Sequence, residues 1–474
     1  MTPDLHGYAS DIPYLRDFKP ALAPAWLDYV AFVAGVEPPV REDGFAWCDL
    51  GCGQGVTASI LAATHPAGAF HGIDAMRTHI DHARRLAAAA LVPNVGFHAV
   101  DFTAALDLDL PSFDYIVAHG VYTWVDARSQ SALRRFIDRR LKPGGLVYIS
   151  YNAMPGWARD LPFQRLLRSL APSLAGDGAT RVTRAADIIC SLAAGIPALA
   201  GTFIVGELQQ RRQDYAPAYL VHEFLPAAWE PLYVTELRAA MKTIGLMPIG
   251  SATFLENLDA TVLDAKGREM LADIADDDLR ELVRDFYRDQ RFRCDVFARG
   301  NRQLDDDERR RRLSTSCFAL ARPESEIRFT TMIPGGQITY DDPVTRAIVA
   351  ALAAGARSLA DIVAEADKAQ DPLNAMLMLC AGGDAMPAEG ARAVVDSINQ
   401  ALFHRLGGPE EIRWLALPCG TAVELDPGLM RVLRDGAQID DDSFPGWRNF
   451  LAAHGIRASG EPGPGCSCAR SAIG

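Results

Sequence analysis

Apolar runs of about six residues alternate with helix-like stretches from residue 45 onward. The pattern predicts strands at 45–50, 69–73, 95–100, 113–118 and 146–151, with helices at 56–64, 78–90 and 129–140 between them. Strands that alternate with helices indicate a parallel sheet with crossover helices. Right-handed crossovers bring the carboxyl ends of these strands to one rim, where open α/β sheets bind ligands.

The pattern changes after Gly156. Residues 157–228 read as helical. An amphipathic helix at 231–244, a sixth strand at 246–254, a helix at 281–290 and a seventh strand at 292–299 follow. The sequence therefore predicts a doubly wound, Rossmann-like α/β sheet of seven strands that a helical insertion interrupts. A hairpin around residues 334–336 and helices near 343–354, 358–366 and 389–405 resemble a winged-helix-like accessory module.

These boundaries predict six regions. They are an N-terminal cap (1–45), a cofactor-binding core (46–156), a helical insertion (157–228), the end of the core with a regulatory region (229–300), a C-terminal accessory domain (301–455) and a disordered tail (456–474). The aromatic N-terminal stretch, with Tyr14, would lie over a bound cofactor, or it would be a plain docking helix.

Composition narrows the class of protein. Hydrophobic residues make up 49% of the 474 and charged residues 23%, as in soluble globular proteins. The net charge of −13 opposes non-specific binding to nucleic acid. Nine scattered cysteines with no C-x-x-C pair predict neither a disulfide framework nor a metal site. The N-terminus has no secretory pattern, so we expect a cytoplasmic protein.

One uncharged run, residues 188–206, is long enough to cross a bilayer. It contains Pro197 and three glycines, and acidic residues rather than basic clusters flank it. These features favour a buried helix pair, or a subunit interface in a homodimer, over a membrane span.

A glycine turn directly follows the first predicted strand. In Asp49-Leu50-Gly51-Cys52-Gly53-Gln54-Gly55 the spacing is G-x-G-x-G, and Val56 stands where a dinucleotide-binding turn has its third glycine. Asp49 would repel a pyrophosphate but suits a cationic amino-acid group. The motif resembles the cofactor loop of class I methyltransferases that use S-adenosylmethionine.

The next two strands also end in acids, and the fourth ends in a histidine. Asp74, followed by Ala75, can accept hydrogen bonds from two ribose hydroxyls, and Asp101 can accept from an adenine amino group. Phe102 would supply a face for the adenine ring. A single Asp at a strand end is more often a turn or helix cap. Three in register favour a ligand site, which His119 would join.

Four longer phrases strengthen the resemblance. Residues 119–125 (HGVYTWV), 150–157 (SYNAMPGW), 222–225 (HEFL) and 291–297 (RFRCDVF) resemble bacterial class I methyltransferases that carry a methyltransferase regulatory domain. The same architecture resembles outer-membrane-protein lysine methyltransferases of intracellular bacteria. The resemblance covers residues 8–300. It implies S-adenosylmethionine as cofactor, held by Gly51, Gly53, Gly55, Asp74 and Asp101, and a protein lysine as one acceptor.

An amine acceptor must lose its proton before it can attack. Tyr122, Trp124, Tyr151 and Trp157, beside Asn152, would form an aromatic acceptor pocket that lowers the cost of deprotonating a lysine; otherwise these rings pack at the edge of the core. His119 would act as a general base or hydrogen-bond within the cofactor pocket. His222 and Glu223 would orient a pocket loop or form a buried structural pair.

Absent motifs exclude some acceptors. The fourth strand does not end in N-P-P-[YF] or carry a Pro-Cys nucleophile, which disfavours methylation of amino groups on DNA bases, of glutamine and of cytosine C5. The alternatives left open are a small-molecule O- or N-methyltransferase and a cofactor-binding regulator with little turnover. The glycine spacing and Asp49 both oppose a nicotinamide dehydrogenase.

Overall fold

The computed structural model describes most of the chain between residues 16 and 456. The described residues are 16–41, 43–196, 205, 206, 208, 226, 228–333, 336–364, 372–390, 393–405 and 411–456. The predictions for Tyr14, for His222 and Glu223, and for the tail from residue 457 therefore lie outside the described residues.

A seven-stranded sheet forms the centre of the fold, in the order β3-β2-β1-β4-β5-β7-β6. β7 is antiparallel to both of its neighbours, and the pairs among β1–β5 are parallel. The strands are β1 (Phe45–Leu50), β2 (Gly68–Asp74), β3 (Val95–Ala99), β4 (Phe113–Ala118), β5 (Leu141–Asn152), β6 (Met247–Ser251) and β7 (Phe292–Ala298). The doubly wound, Rossmann-like α/β sheet predicted from the sequence is confirmed.

The helices associated with this sheet are α1 (Pro24–Val33), α2 (Val56–Thr64), α3 (Arg77–Ala89), α4 (Phe102–Ala105), α5 (Ala127–Arg140), α6 (Leu161–Leu170), α7 (Gly178–Gly195), α8 (Val234–Lys242), α9 (Asp259–Val262), α10 (Ala265–Ala272) and α11 (Asp277–Arg288). Residues 188–195 of the uncharged run lie in α7. Among the helices that the structure describes, none is both long and apolar enough to span a bilayer.

The C-terminal part combines helices with small antiparallel sheets. Its elements are α12 (Asp306–Thr315), β8 (Cys317–Leu320), β9 (Thr330–Ile333), β10 (Gly336–Thr339), α13 (Pro343–Leu352), β11 (Arg357–Ser358), α14 (Leu359–Ala364), α15 (Pro372–Ala381), β12 (Ala385–Ala388), α16 (Asp396–Phe403), β13 (Trp414–Leu417), β14 (Thr421–Glu424), α17 (Pro427–Arg434) and α18 (Trp447–Ala453). Its predicted winged-helix-like character stays a prediction.

Apolar residues cover both faces of the sheet. β1 and β4 are buried along their whole length, as expected of central parallel strands with continuous apolar sequences. α1 docks near the sheet edge, where Trp26 Nε1 donates to the Ala252 carbonyl at 2.9 Å and the Trp26 ring stacks on Phe254. The described part of the N-terminal segment therefore packs against the core.

Some predicted boundaries were wrong. β5 begins at Leu141 rather than 146, because the Lys142–Gly145 stretch continues the strand past an irregularity in its pairing with β4. The helix expected from residue 389 begins at Asp396, because residues 385–388 pair with β8 as β12. β6 ends at Ser251, since Asn257 Oδ1 accepts a hydrogen bond from the Ser251 N–H at 2.7 Å and the chain turns there.

A buried arginine on β7 joins the sheet to α11. Arg293 is 2% exposed, and its guanidinium contacts the carboxylates of Asp285, of Asp295 at 2.8 Å and of Glu281 at 2.9 Å. Burial raises the pKa of Asp285 to about 7. Burial would also raise the pKa of Glu281, but the surrounding arginines, Arg293 foremost, hold it at about 2. Arg293 therefore supplies the counter-charge to Asp285 and Asp295 and shares Glu281 with Arg238 and Arg284.

We expect Arg293→Met to lower the thermal unfolding midpoint by many degrees, because it leaves buried carboxylates without a counter-charge. Removing one partner of a buried ion pair costs about 3–5 kcal/mol. Arg302→Met is the matched control, since the half-exposed Arg302 pairs with Glu37 and Glu308 at the surface. Equal shifts in both variants, measured by differential scanning calorimetry, would contradict the role given to Arg293.

Candidate active site

The glycine turn after β1 has the backbone conformation that its sequence requires. Gly51, Gly53 and Gly55 all have positive φ, at +89°, +52° and +71°. A Cβ at Gly51 would lie 2.2 Å from Val121 Cγ2, and one at Gly55 would lie 2.4 Å from Ala83 Cβ. At Gly53 the space is open. The turn thus packs tightly at both ends and leaves its middle accessible to a ligand.

Asp74, at the end of β2, forms a hydrogen bond with this turn. Its Oδ2 accepts from the Gly53 N–H at 2.9 Å, and its Oδ1 accepts from the Met76 N–H at 2.8 Å. His79 Nδ1 lies 3.3 Å from the same Oδ1. Each carboxylate oxygen has a second lone pair, so the side chain can still accept from two ligand hydroxyls.

A cavity opens on the rim between this turn and the end of β4. The residues predicted for cofactor or acceptor binding that line it are Gly51, Gly53, Asp74, Ala75, Asp101, Phe102, His119 and Trp124. Met76, His79, Val121, Val125 and Ser129 also line it and were not predicted. Met76 lies two residues after Asp74, directly after the predicted Ala75, and this position could have indicated it. The cavity therefore gathers the ends of four strands.

Asp49 lies behind the turn and is 4% exposed. Within the described part of the chain, its Oδ1 is buried without a hydrogen-bond partner. Burial, together with the nearby Asp74 carboxylate, raises the pKa of Asp49 to about 8. An unpaired buried carboxylate is costly, and a cationic group bound at the turn would offset that cost. The residues present thus fit a cofactor with a cationic amino-acid end.

Asp101 caps a helix and also borders the cavity. Its Oδ1 accepts from the Ala104 N–H at 2.8 Å, which makes it the N-cap of α4. It also borders the cavity, next to Phe102. Contact with an adenine ring stays a prediction for both residues.

His119 is held by the neighbouring strand. Its Nδ1 lies 2.9 Å from Tyr148 Oη and 3.2 Å from Ser150 Oγ, and Ser150 Oγ also accepts from the Gly120 N–H at 2.8 Å. Burial lowers the pKa of His119 to about 3, and the Lys19 charge adds to the effect. The imidazole is therefore neutral at physiological pH. An imidazole with so low a pKa is a weak proton acceptor, which favours a hydrogen-bonding role for His119 over that of a general base.

The four predicted aromatic rings do not form one pocket. Trp124 borders the cavity, but Tyr122 and Tyr151 do not line it. Tyr122 is 1% exposed and its hydroxyl accepts from Arg134 at 2.6 Å, while the fully buried Tyr151 donates to Asp295 at 2.8 Å. Both pack in the core between the sheet and α5. A cage made of all four rings is therefore not formed.

Tryptophans nevertheless collect beside the cavity. Trp157 meets Trp229 edge-on, with ring centroids 4.9 Å apart, and both share an apolar cluster with Trp124. Trp229 was not predicted, because nothing in the pattern around it marks a site. The cluster places three indoles at the ends of β4 and β5.

Asn152 is the last residue of β5 and is 2% exposed. Its N–H donates to Thr123 Oγ1 at 3.1 Å and its carbonyl accepts from Leu232 N at 3.0 Å. The Thr123 carbonyl accepts from Glu230 N at 3.0 Å. The side-chain nitrogen is buried with no hydrogen-bond partner among the described residues. Asn152 does not itself line the cavity, and its contact with an acceptor stays a prediction.

Family comparisons agree with this geometry. Residues 41–176 match the family described as "Methyltransferase domain", and residues 216–299 match "Predicted methyltransferase regulatory domain". An uncharacterized protein of Synechocystis is 29% identical over 435 residues, which cover 89% of this chain and 85% of that protein. An uncharacterized protein of Rickettsia prowazekii is 36% identical over 149 residues, 31% of this chain and 58% of its own.

The fold is also similar to that of PKMT2 from Rickettsia typhi in complex with AdoHcy. The TM-score is 0.69 at 18% identity, over 93% of this chain and 91% of that one. This similarity shows the Rossmann-like fold, and the two family matches identify an S-adenosylmethionine-dependent methyltransferase domain followed by a methyltransferase regulatory domain.

We expect S-adenosylmethionine to displace a proton from Asp49. Because the pKa of the free carboxyl is about 8, the group is protonated at pH 6–7, and a bound cation favours its ionised form. Affinity should rise about tenfold per pH unit below pH 8 and then level off. Calorimetry in two buffers of different ionisation enthalpy measures the released proton.

Asp49→Asn should bind with little dependence on pH, while Asp81→Asn on the exposed face of α3 should behave like the unaltered protein. A pH slope that persists in Asp49→Asn would assign the proton to another group.

Proposed function

We propose that this methyltransferase transfers the methyl group to the ε-amine of a lysine side chain in a protein. The glycine turn and Asp49 would hold the amino-acid end of S-adenosylmethionine, Asp74 its ribose, and Asp101 with Phe102 its adenine. S-adenosylmethionine supplies a methyl carbon that its sulfonium already activates. The protein has to position the acceptor in line with that carbon and keep it unprotonated.

The acceptor has to approach from the ends of β4 and β5. The ends of β1, β2 and β3 carry the proposed cofactor contacts, which leaves the rim beyond His119 and Asn152. This geometry rests on the sheet order, in which β4 and β5 lie on the same side of β1. The acceptor side therefore comprises His119, Trp124, Asn152 and the adjoining tryptophans.

The observation that carries the proposal is the neutral character of this side. The low pKa keeps His119 uncharged, Asn152 offers an amide, and the remaining groups named above are indoles. A lysine amine has an unperturbed pKa of about 10.4. Neutral, partly apolar surroundings favour its uncharged form, whereas a carboxylate would stabilise the ammonium.

Similarity to PKMT2 supports the same acceptor. PKMT2 is a protein lysine methyltransferase of Rickettsia. The two chains align over the regulatory and C-terminal parts as well as the core, since more than nine-tenths of each is covered. We infer from this that the parts outside the cofactor core serve a comparable acceptor.

Asn152 would orient the amine. An amide oxygen accepts an amine N–H without adding a charge that favours the ammonium, and the amide nitrogen can donate to the backbone carbonyl of an acceptor protein. Its position at the carboxyl end of β5, with its backbone fixed by Thr123 and Leu232, limits its freedom. We propose that His119 helps to exclude water there.

The direct test is transfer of labelled methyl groups to a random lysine–alanine copolymer. The same polymer with fully acetylated amines is the matched control, because it lacks only the nucleophile. We expect label in the free-amine polymer alone, and mass spectrometry should place it on lysine. Label that appears only in small molecules of a lysate would instead indicate a metabolic acceptor. Cofactor binding without transfer to any fraction would indicate a regulator.

We expect Asn152→Ala to lower kcat at least tenfold and to leave the affinity for S-adenosylhomocysteine within twofold. Asn152→Asp should move the pH optimum upward, because its carboxylate would stabilise the protonated amine. Steady-state rates from pH 6.5 to 10 measure both effects. Loss of cofactor affinity in either variant would place Asn152 in the cofactor site instead.

A further inference from the structure

The side chain of Arg291 joins the regulatory domain to the loop that leaves β5, residues 153–160. We refer to it as the post-β5 loop. Arg291 precedes β7 and lies within the regulatory match at residues 216–299. Its Nη1 donates to the Gly156 carbonyl at 2.6 Å and to Asp160 Oδ2 at 2.7 Å. The guanidinium also lies over the Trp157 ring, 4.3 Å from its centroid.

The backbone reinforces this contact. The Arg291 carbonyl accepts from Ala153 N at 2.8 Å and from Trp157 Nε1 at 3.0 Å, and Gly156 N donates to the Gln290 carbonyl at 2.9 Å. A Cβ at Gly156 would lie 2.5 Å from that carbonyl oxygen, so a larger residue would separate the two segments. Hence the loop and residues 290–291 are in direct contact.

Through Trp157 this contact reaches the acceptor side. Trp157 packs edge-on against Trp229, and both belong to the cluster that contains Trp124, which lines the cavity. By contrast, the described contacts of the cofactor turn run to the end of β2, to α3 and β3, and to Val121, and not to residues 290–291. Arg291 is therefore positioned to affect the acceptor side without touching the cofactor contacts.

We propose that Arg291 is a positioning residue through which the regulatory domain holds the acceptor side of the active site. This inference rests on the proposed function in placing the acceptor at the ends of β4 and β5. Asp160 is 1% exposed, and the guanidinium supplies a counter-charge to its buried carboxylate. A lysine would supply the charge, but it lacks the planar fork that contacts Gly156, Asp160 and the Trp157 ring together.

The test compares Arg291→Ala and Arg291→Lys with Arg299→Ala. Arg299 follows β7 and contacts Asp138 and the carbonyls of Leu141 and Ile244, which places the control at the far end of the same strand. Affinity for S-adenosylhomocysteine is measured by calorimetry, and initial rates are measured with the lysine–alanine copolymer.

We expect Arg291→Ala to raise KM for the copolymer at least tenfold while affinity for S-adenosylhomocysteine changes less than twofold. Arg291→Lys should recover part of the loss, and Arg299→Ala should match the unaltered protein. Parallel loss of cofactor affinity and rate, as a merely structural role would give, overturns the proposal. A KM for the copolymer that is equal in Arg291→Ala and Arg299→Ala also overturns the proposal.

A second readout does not depend on the acceptor. Arg159 is an exposed trypsin site in the post-β5 loop, and its cleavage should be at least fivefold faster in Arg291→Ala than in Arg299→Ala. If the unaltered protein does not methylate the copolymer, the lysine proposal fails. Faster cleavage at Arg159 in Arg291→Ala, with unchanged cofactor affinity, then supports the positioning role. Equal cleavage rates in Arg291→Ala and Arg299→Ala overturn it.

Discussion

The compensation of buried carboxylates by Arg293 is the constraint on which the second half of the sheet depends. β7 lies between β5 and β6, and Arg293 near its start contacts acids of α11 as well as Asp295 on its own strand. Asp295 in turn accepts from the Tyr151 hydroxyl on β5. These side-chain contacts add to the antiparallel backbone pairing of β5 with β7, and Arg291 lies two residues before Arg293 on the same segment.

The two proposed halves of the active site, one for the cofactor and one for the acceptor, differ in physical character. The cofactor half consists of positive-φ glycines and carboxylates, one of which, Asp49, has no partner for its buried Oδ1 among the described residues. The acceptor half consists of a neutral imidazole, an amide and indoles. This division suits a reaction in which one reactant carries a cationic group and the other must be uncharged to attack. The same rim provides both environments within a few residues.

Most of the proposed cofactor half was predictable, because strand periodicity places Asp49, Asp74 and Asp101 at or near strand ends and a parallel sheet brings those ends together. The arrangement of the aromatic side chains was not predictable. Successive strand residues point to opposite faces, so Tyr151 enters the core while Ser150 and Asn152 face the other way. Trp229 and Arg291 come from segments far along the chain, and their contacts with Trp157 leave no local pattern. Helix α15 and the β13–β14 pair were likewise missed.

Thr123 has a consequence for the order in which the site forms. Its hydroxyl accepts from residue 152 and its carbonyl accepts from residue 230, and the post-β5 loop contacts residue 291. The cofactor turn, by contrast, is hydrogen-bonded to Asp74, only 21 residues beyond Gly53. Contacts that are near in sequence form sooner than distant ones. We therefore expect the cofactor turn to close before the contacts of residues 230 and 291 form. The part of the site that would bind S-adenosylmethionine would then be complete before the part that would bind the acceptor.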